Sequence, residues 1–261
     1  METRTYTTMD IETIRQKVNE VRWYQTFEIV PGVFTPGMLR TNAKESFDYF
    51  GIPPDLRGKQ VLEIGTWDGP IAFEAEARGA TVTALDIQDP SRTGFNVAKE
   101  ILKSNVTYIQ GSVYDAAKLL GPGKTFDYIF FLGVFYHLKH PILAFEELSK
   151  LLNDDGALVF EGECLRFYCE DEAGVRMDDE CIRKLASSNV PVTLFYANKY
   201  KGDDSNWFIP NYVCLKGWME AAGLEIIRHS FHEVPDGERP LQRVGGVAHR
   251  VSGLRVEHHL W

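Results

Sequence analysis

Apolar positions change their spacing along the chain, and the changes mark out elements. Ile11, Ile14, Val18 and Val21 recur at helical intervals and predict a first helix over Asp10 to Val21. The next stretch, "WYQTFEIVPGVFTPGM" (23–38), is dense in aromatic, Gly and Pro residues and predicts an ordered covering segment rather than a linker. From Gly58 strand and helix signals alternate. "QVLEIG", "TVTALDI", "VTYIQG", "FDYIFFLGVF" and "GALVFEG" read as five strands, with "PIAFEAEARG", "GFNVAKEILKS" and "PILAFEELSKLLN" as the helices among them. Such alternation calls for right-handed crossovers and an α/β fold with a mainly parallel sheet covered by helices on both faces.

Composition narrows this. With 261 residues, 44% of them hydrophobic, the chain can bury a full core. We read 1–57 as a helical and aromatic lid segment and 58–261 as the core, with an insertion at about 163–210 after the fifth strand. No apolar run approaches the roughly 18 to 20 residues that span a bilayer, and "METRTYTTMDIETIRQ" has no signal-peptide core, so a soluble, cytoplasmic protein with no membrane partner is expected. Cys164, Cys169, Cys181 and Cys214 lack paired C-x-x-C spacing and read as reduced packing residues. The formal charge of -9 supplies no global field for nucleic acid.

The end of the first strand carries the first chemical signal. "VLEIGTWDGP" (61–70) passes Glu63 and turns through Gly65 and Gly69. Glycines allow a tight strand-to-helix turn and close approach of backbone amides, and ligands of such sheets bind at the carboxyl ends of the strands. A turn without a ligand is the alternative. Asp86 ends the second strand about twenty residues on, where a carboxylate can accept both hydroxyls of an adenosine ribose. A helix-capping aspartate would fit the same position. A dinucleotide site wants G-x-G-x-x-G, yet Trp67 stands in mid-loop and no second glycine has the required spacing. Glu63 repels phosphate but suits an ammonium or sulfonium charge, and S-adenosylmethionine carries both.

Together with "WYQTFEIVPGVFTPG", "FDYIFFLGVFYHLKHP" and "NWFIPNYVCLKGWMEAAGLE", these residues resemble class I S-adenosylmethionine-dependent methyltransferases. The branch is that of the tRNA wobble-uridine (mo5U34) methyltransferases and the carboxymethyltransferase of the same pathway. The resemblance implies a Rossmann-like class I fold and S-adenosylmethionine as cofactor. It implies that the loop with Gly65, Trp67, Asp68 and Gly69 cradles the methionine moiety beside Glu63, and that Asp86 and Ile87 meet the ribose edge. Ser112, Val113 and Asp115 would lie by the adenine, Leu132 and Gly133 by the methionine end. The carboxymethyltransferase is expected to hold its cofactor's extra carboxylate with a tyrosine, an N-terminal lysine and a C-terminal arginine. Tyr136 fits the first and Arg243 approximates the last, but "EIVPGVFTPG" offers no lysine, so ordinary methyl transfer is the expectation.

The sulfonium is already activated, so the protein has to align the acceptor, exclude water and take a proton if the acceptor is a hydroxyl. His137, after the fourth strand, is the candidate base; alternatively it fixes its loop by a hydrogen bond. Glu161 could orient a substrate hydroxyl, and with Glu163 it lacks a third ligand for a metal. His140 reads as a helix-start residue. Tyr24, Phe27 and Phe34 are candidates to close over the cofactor, and Trp207, Phe208 and Tyr212 to wall the acceptor pocket. From Glu161 to Lys184 eight acids face four bases, a net charge of about -4 that would repel a phosphate backbone. The expected acceptor is therefore a small, hydroxylated molecule such as a sugar derivative or natural-product intermediate, methylated on oxygen, with nucleic acid disfavoured and homo-oligomerisation open. The alternatives are a tRNA wobble-uridine methyltransferase and a cofactor-binding regulatory protein without turnover.

Overall fold

The computed structural model describes residues 9–197, 199–234 and 240–251. The reading of the first eight residues as free of a signal core lies outside the described residues. Two compact units divide the chain, residues 1–130 and 131–261.

In the first unit, α1 (Ile11–Asn19) buries Ile14 and Val18 and is capped by Asp10, whose carboxylate accepts from the Thr13 amide at 2.9 Å. It stops short of the expected Val21 because the Trp23 indole donates to the Val18 carbonyl at 2.7 Å, drawing the chain out of the helix. Residues 23–40 form two short ribbons, Gln25–Thr26 parallel to Leu39–Arg40 and Glu28–Val30 antiparallel to Val33–Phe34. The α/β core follows: α2 (Ala43–Tyr49), β1 (Gln60–Ile64), α3 (Pro70–Ala77), β2 (Thr81–Asp86), α4 (Phe95–Ile101), β3 (Thr107–Gln110) and β4 (Phe126–Leu132), the last running across the division. β1 pairs parallel with β2 from Gln60↔Thr81 to Ile64↔Leu85, and β2 with β3 from Thr83↔Thr107 to Asp86↔Gln110. Val61 to Ile64 and Val82 to Asp86 are buried without alternation, the mark of strands covered on both faces.

The second unit contains α5 (Pro141–Lys150), β5 (Leu152–Glu163), α6 (Asp179–Ser187), α7 (Tyr212–Ala221), β6 (Leu224–Val234) and β7 (Leu241–Arg250). The apolar run at Leu151 and Leu152 reads as continued helix, but β5 already begins at Leu152, one residue before the expected helix end at Asn153. β7 lies antiparallel to β5, with Arg243 opposite Glu163, and antiparallel to β6. This hairpin is absent from the sequence-based elements. β6 is exposed at most positions and shows no clean alternation, while β7 carries a Gly-Gly pair that reads as a breaker. Gly246 is needed there because a Cβ would stand 2.3 Å from the Arg228 carbonyl oxygen, beside the bulge between Ile226 and Arg228. The segment after β5 has a small core of its own, built on Leu165, Tyr168, Ile182, Tyr196, Tyr200 and Ile209. All four cysteines are free thiols.

The strand order of the seven-stranded sheet is β6-β7-β5-β4-β1-β2-β3. Among the described residues no helix is long and apolar enough to cross a membrane.

Candidate functional site

In the first unit the loop between β1 and α3 is built around two carboxylates. Glu63 is buried, and both the Thr66 hydroxyl (2.6 Å) and the Ala72 amide (2.9 Å) donate to its Oε2. Ala72 lies in the first turn of α3, so Glu63 satisfies one of the helix's orphan donors. Burial pushes the Glu63 carboxyl up to about 8, against those two hydrogen bonds and with the nearby charge of Asp86 adding to the rise. Trp67 adopts a left-handed conformation, φ +50°, between Gly65 at +74° and Gly69 at +91°. Its strain is held by Asp86, whose Oδ2 accepts the Trp67 amide at 2.8 Å while Oδ1 accepts the Gln88 amide at 2.9 Å. At Gly69 a Cβ would meet Phe73 at 2.6 Å and Phe95 at 2.8 Å, so this glycine is required by packing as well as by its φ.

The positions expected beside a nucleoside cluster at the same strand ends. The Gly111 amide donates to the Asp86 carbonyl at 2.8 Å, which draws the turn at Ser112 and Val113 against the end of β2. Ser112 caps that turn through the Tyr114 amide at 3.3 Å, Val113 is buried, and Ile87 stays exposed. Asp115 closes the turn by donating its amide to the Ser112 carbonyl at 3.0 Å.

Asp68 has a structural post. It is fully buried and accepts the amides of Tyr24 (2.8 Å), Gln25 (2.7 Å) and Gly94 (2.8 Å), while its own amide donates to Gln25 Oε1 at 3.1 Å. Burial raises its carboxyl above the ordinary range despite those donors. The clamp sets the Tyr24 ring against Trp67, centroids 5.0 Å apart. Of the other expected lid aromatics, Phe27 is buried edge-on to Trp23 at 5.9 Å and Phe34 is exposed.

In the second unit, β4 ends at Leu132 and Gly133 turns left-handed, donating its amide to the Glu161 carbonyl at 2.8 Å. The chain then forms a short 3₁₀ turn, Phe135–His137. Arg243 gathers the polar groups. One guanidinium nitrogen lies 2.9 and 2.7 Å from the two oxygens of Glu161, and the other donates to the Tyr136 hydroxyl at 2.6 Å. Burial opposes its charge, but Glu161 and Tyr136 together outweigh that and raise its pKa well above the usual arginine value. Its Nε is buried without a hydrogen-bond partner. His137 is half-buried, and its Nδ1 lies 2.9 Å from Ser205 Oγ and 3.2 Å from the Ser205 carbonyl oxygen. Burial lowers its pKa, with the Ser205 contact and Asp203 opposing. The ring is therefore neutral near pH 7.

Trp207 donates its amide to the Tyr136 carbonyl at 2.8 Å and carries the Lys139 ammonium 4.5 Å above its ring. Phe208 packs on Trp218 at 6.0 Å, and Tyr212 stacks on His229 at 4.0 Å. His140 occupies the position before Pro141 at the start of α5, as expected. Among the described residues no group of three His, Cys, Asp or Glu side chains is arranged to hold a metal ion.

Sequence reasoning missed Gln25, Thr66, Asp203 and Ser205. The Asp-x-Ser spacing of Asp203 and Ser205 is an Asx-turn signature that marks them in retrospect. Gln25 and Thr66 have no such mark, because their roles exist only once distant backbone amides have been brought together.

A family model described as a methyltransferase domain matches residues 39–229. The chain is 29% identical over 169 residues to a tRNA U34 carboxymethyltransferase of Campylobacter hominis, covering 64% of this chain and 51% of that protein. It is 28% identical over 172 residues to the enzyme of that name from Wolinella succinogenes, with 66% and 53% covered. The chain thus spans about half the length of the curated relatives it matches. Among solved structures, an S-adenosylmethionine-dependent methyltransferase from Listeria monocytogenes superposes with a TM-score of 0.57 at 18% identity, covering 80% of this chain and 99% of that one. The N-terminal domain of EvdMO1, solved in the presence of S-adenosylhomocysteine and D-fucose, gives 0.57 at 14%, covering 93% and 97%. These likenesses bear out the Rossmann-like class I fold.

The expectation of a small-molecule acceptor with nucleic acid disfavoured is overturned, since the relatives matched carry tRNA U34 in their names. Its charge argument also fails on the structure. Of the eight acids counted from Glu161 to Lys184, Glu161 pairs with Arg243 and Glu163 with Lys201, both bases outside the counted window, while Asp179 and Glu180 pair with Arg176 and Lys184 inside it. A window of sequence counts charges, but a field depends on where their partners lie.

Proposed function

Because this chain belongs to the methyltransferase-domain family and has the class I S-adenosylmethionine-dependent methyltransferase fold, we propose that it transfers a methyl group from S-adenosylmethionine to the wobble uridine of a tRNA. The observation that carries the cofactor assignment is the first unit's cradle, in which buried Glu63, left-handed Trp67 and Asp86 belong to one hydrogen-bonded loop. Asp86 takes the ribose hydroxyls, Ile87, Ser112 and Val113 border the adenine, Glu63 meets the cationic methionine moiety, and Tyr24 with Trp67 shields it from water. When bound, S-adenosylmethionine supplies a methyl group already activated on its sulfonium. The tRNA acceptor is supported by the relatives' names.

His137 serves as the base that accepts the uridine hydroxyl proton, being neutral near pH 7. His137→Asn is expected to lower kcat by about 10²- to 10⁴-fold, the usual contribution of such a base, with cofactor affinity unchanged and the loss shrinking at high pH. A second reading, carboxymethyl transfer, is favoured by the 2.6 Å contact of Tyr136 with Arg243, the pair that the resemblance gives to a carboxylated cofactor. Against it, Glu161 already neutralises Arg243.

The test is to incubate the protein with tRNA and either cofactor, digest to nucleosides and weigh the modified uridine. Addition of a methyl group at the wobble position is expected. A carboxymethyl product would select the second reading, and transfer to neither would overturn the tRNA assignment.

A further inference from the structure

The loop that meets His137 decides which ring nitrogen carries the proton. A carbonyl oxygen can only accept, so the 3.2 Å contact of His137 Nδ1 with the Ser205 carbonyl requires Nδ1–H. The second contact agrees. Ser205 Oγ has a single hydrogen and donates it to Asp203 Oδ1 at 2.6 Å, so toward the ring, 2.9 Å away, it too can only accept. We propose that Ser205, held by Asp203, locks His137 in the tautomer protonated on Nδ1, so that Nε2 keeps its lone pair for the acceptor's proton. Asp203 and Ser205 are then positioning residues, a role that rests on the reading of His137 as the base.

The loop is braced for this task. Tyr200 and Asp203 exchange backbone hydrogen bonds of 3.0 Å across Lys201 (φ +50°) and Gly202 (φ +75°), the two left-handed positions of a tight hairpin turn. A lysine is an uncommon occupant of such a position. It is secured by its ammonium, 2.5 Å from Glu163 and 2.6 Å from the Pro240 carbonyl, and by its amide, 2.5 Å from Glu170. Asp203 Oδ1 also accepts the Ser205 amide at 2.8 Å, closing an Asx turn that orients the hydroxyl. Charge acts in the same direction, since Asp203 favours the imidazolium that forms on proton transfer, while Arg243 opposes it.

The step balances without a further reactant. As the acceptor oxygen bonds to the methyl carbon, its proton passes to Nε2, the electron pair of the broken carbon–sulfur bond stays on sulfur, and the ring becomes an imidazolium. With the other tautomer Nε2 would present a hydrogen to the acceptor and could take none.

Long-range proton–nitrogen spectra of the full chain labelled in histidine read the tautomer directly, with His137→Gln assigning the resonance. In the wild type above the ring's titration, Nε2 is expected to show the shift of an unprotonated nitrogen. Ser205→Ala, which keeps the carbonyl acceptor but loses the hydroxyl, and Asp203→Ala, which frees that hydroxyl to donate to the ring, should each shift part of the population to the tautomer protonated on Nε2, lower kcat on tRNA by about 10- to 100-fold, a fraction of the loss seen when a catalytic histidine is held in the wrong tautomer, and leave KM and cofactor affinity unchanged. Ser205→Thr should restore both readouts. A wild-type ring protonated on Nε2, or variants with unaltered tautomer, would overturn the lock. Full turnover in His137→Asn with the tautomer as stated would instead sink the base reading and leave the lock standing.

Discussion

Burial holds the Glu63 carboxyl near 8, whereas in an unfolded chain it titrates near 4.5. Between those values the folded protein carries a proton that the unfolded chain has lost, so stability falls as pH rises across this window, by about 1.4 kcal/mol per pH unit in its middle. Urea denaturation from pH 5 to 8 should show that decline, and Glu63→Gln should flatten it. A cation bound against Glu63 favours the ionised form. Cofactor binding near pH 7 should therefore release a proton, read as a binding enthalpy that varies with the ionisation enthalpy of the buffer, and the variant should release none. Asp86 is the other testable carboxylate of the cradle. Asp86→Ala is expected to weaken S-adenosylmethionine binding by roughly 1.5 to 3 kcal/mol, as for a charged hydrogen-bond acceptor. Part of that loss is indirect, because Trp67 then keeps its left-handed backbone without its acceptor. Unchanged affinity by calorimetry would remove Asp86 from the site.

Among the elements, the loop between β1 and α3 depends on a segment more than forty positions earlier in sequence, since Asp68 binds Tyr24 and Gln25 as well as Gly94. Asp68→Ala strands three amides at once. It should destabilise the fold by about 2 to 4 kcal/mol, somewhat above the cost of a single unsatisfied buried donor, and loosen Tyr24 from Trp67. Chemical denaturation together with Trp67 fluorescence measures both, and a loss below about 0.5 kcal/mol would show that the amides find other partners. The helical period of α1 and the Pro at the start of α3 were legible in the chain because they are local. The hairpin of β6 and β7 was not. A strand with most side chains in water has no apolar alternation to read, and Gly246 serves an approach of Arg228 that no local pattern announces.

For the molecule as a whole, cofactor choice under the proposed function turns on Glu161. While it pairs with Arg243, a second carboxylate at the guanidinium meets a charge already neutralised and pays the repulsion of Glu161 as well. Competition binding should therefore favour ordinary S-adenosylmethionine, and Glu161→Gln should shift the preference toward the carboxylated analogue by about tenfold or more, the change expected from removing one like charge near a partly buried site. An analogue that binds the wild type more tightly would reverse the assignment.

The alternation of strands and helices, the glycine loop after the first strand and an aspartate ending the second are determined by sequence alone, because periodicity, turn chemistry and strand-end position are properties of neighbouring residues. The resemblance to the wobble-uridine branch was legible in the same way, through its motifs. What the tertiary structure decided is the state of each polar group. It made Asp68 a clamp, held Glu63 protonated, closed Glu161 on Arg243 and aimed Ser205 at His137. It also undid the inference that an acidic stretch repels nucleic acid, by supplying Lys201 and Arg243 from outside that stretch. A side chain's charge and proton depend on burial and on which partners, distant in sequence, lie within about 3 Å, and the order of residues along the chain does not contain that distance.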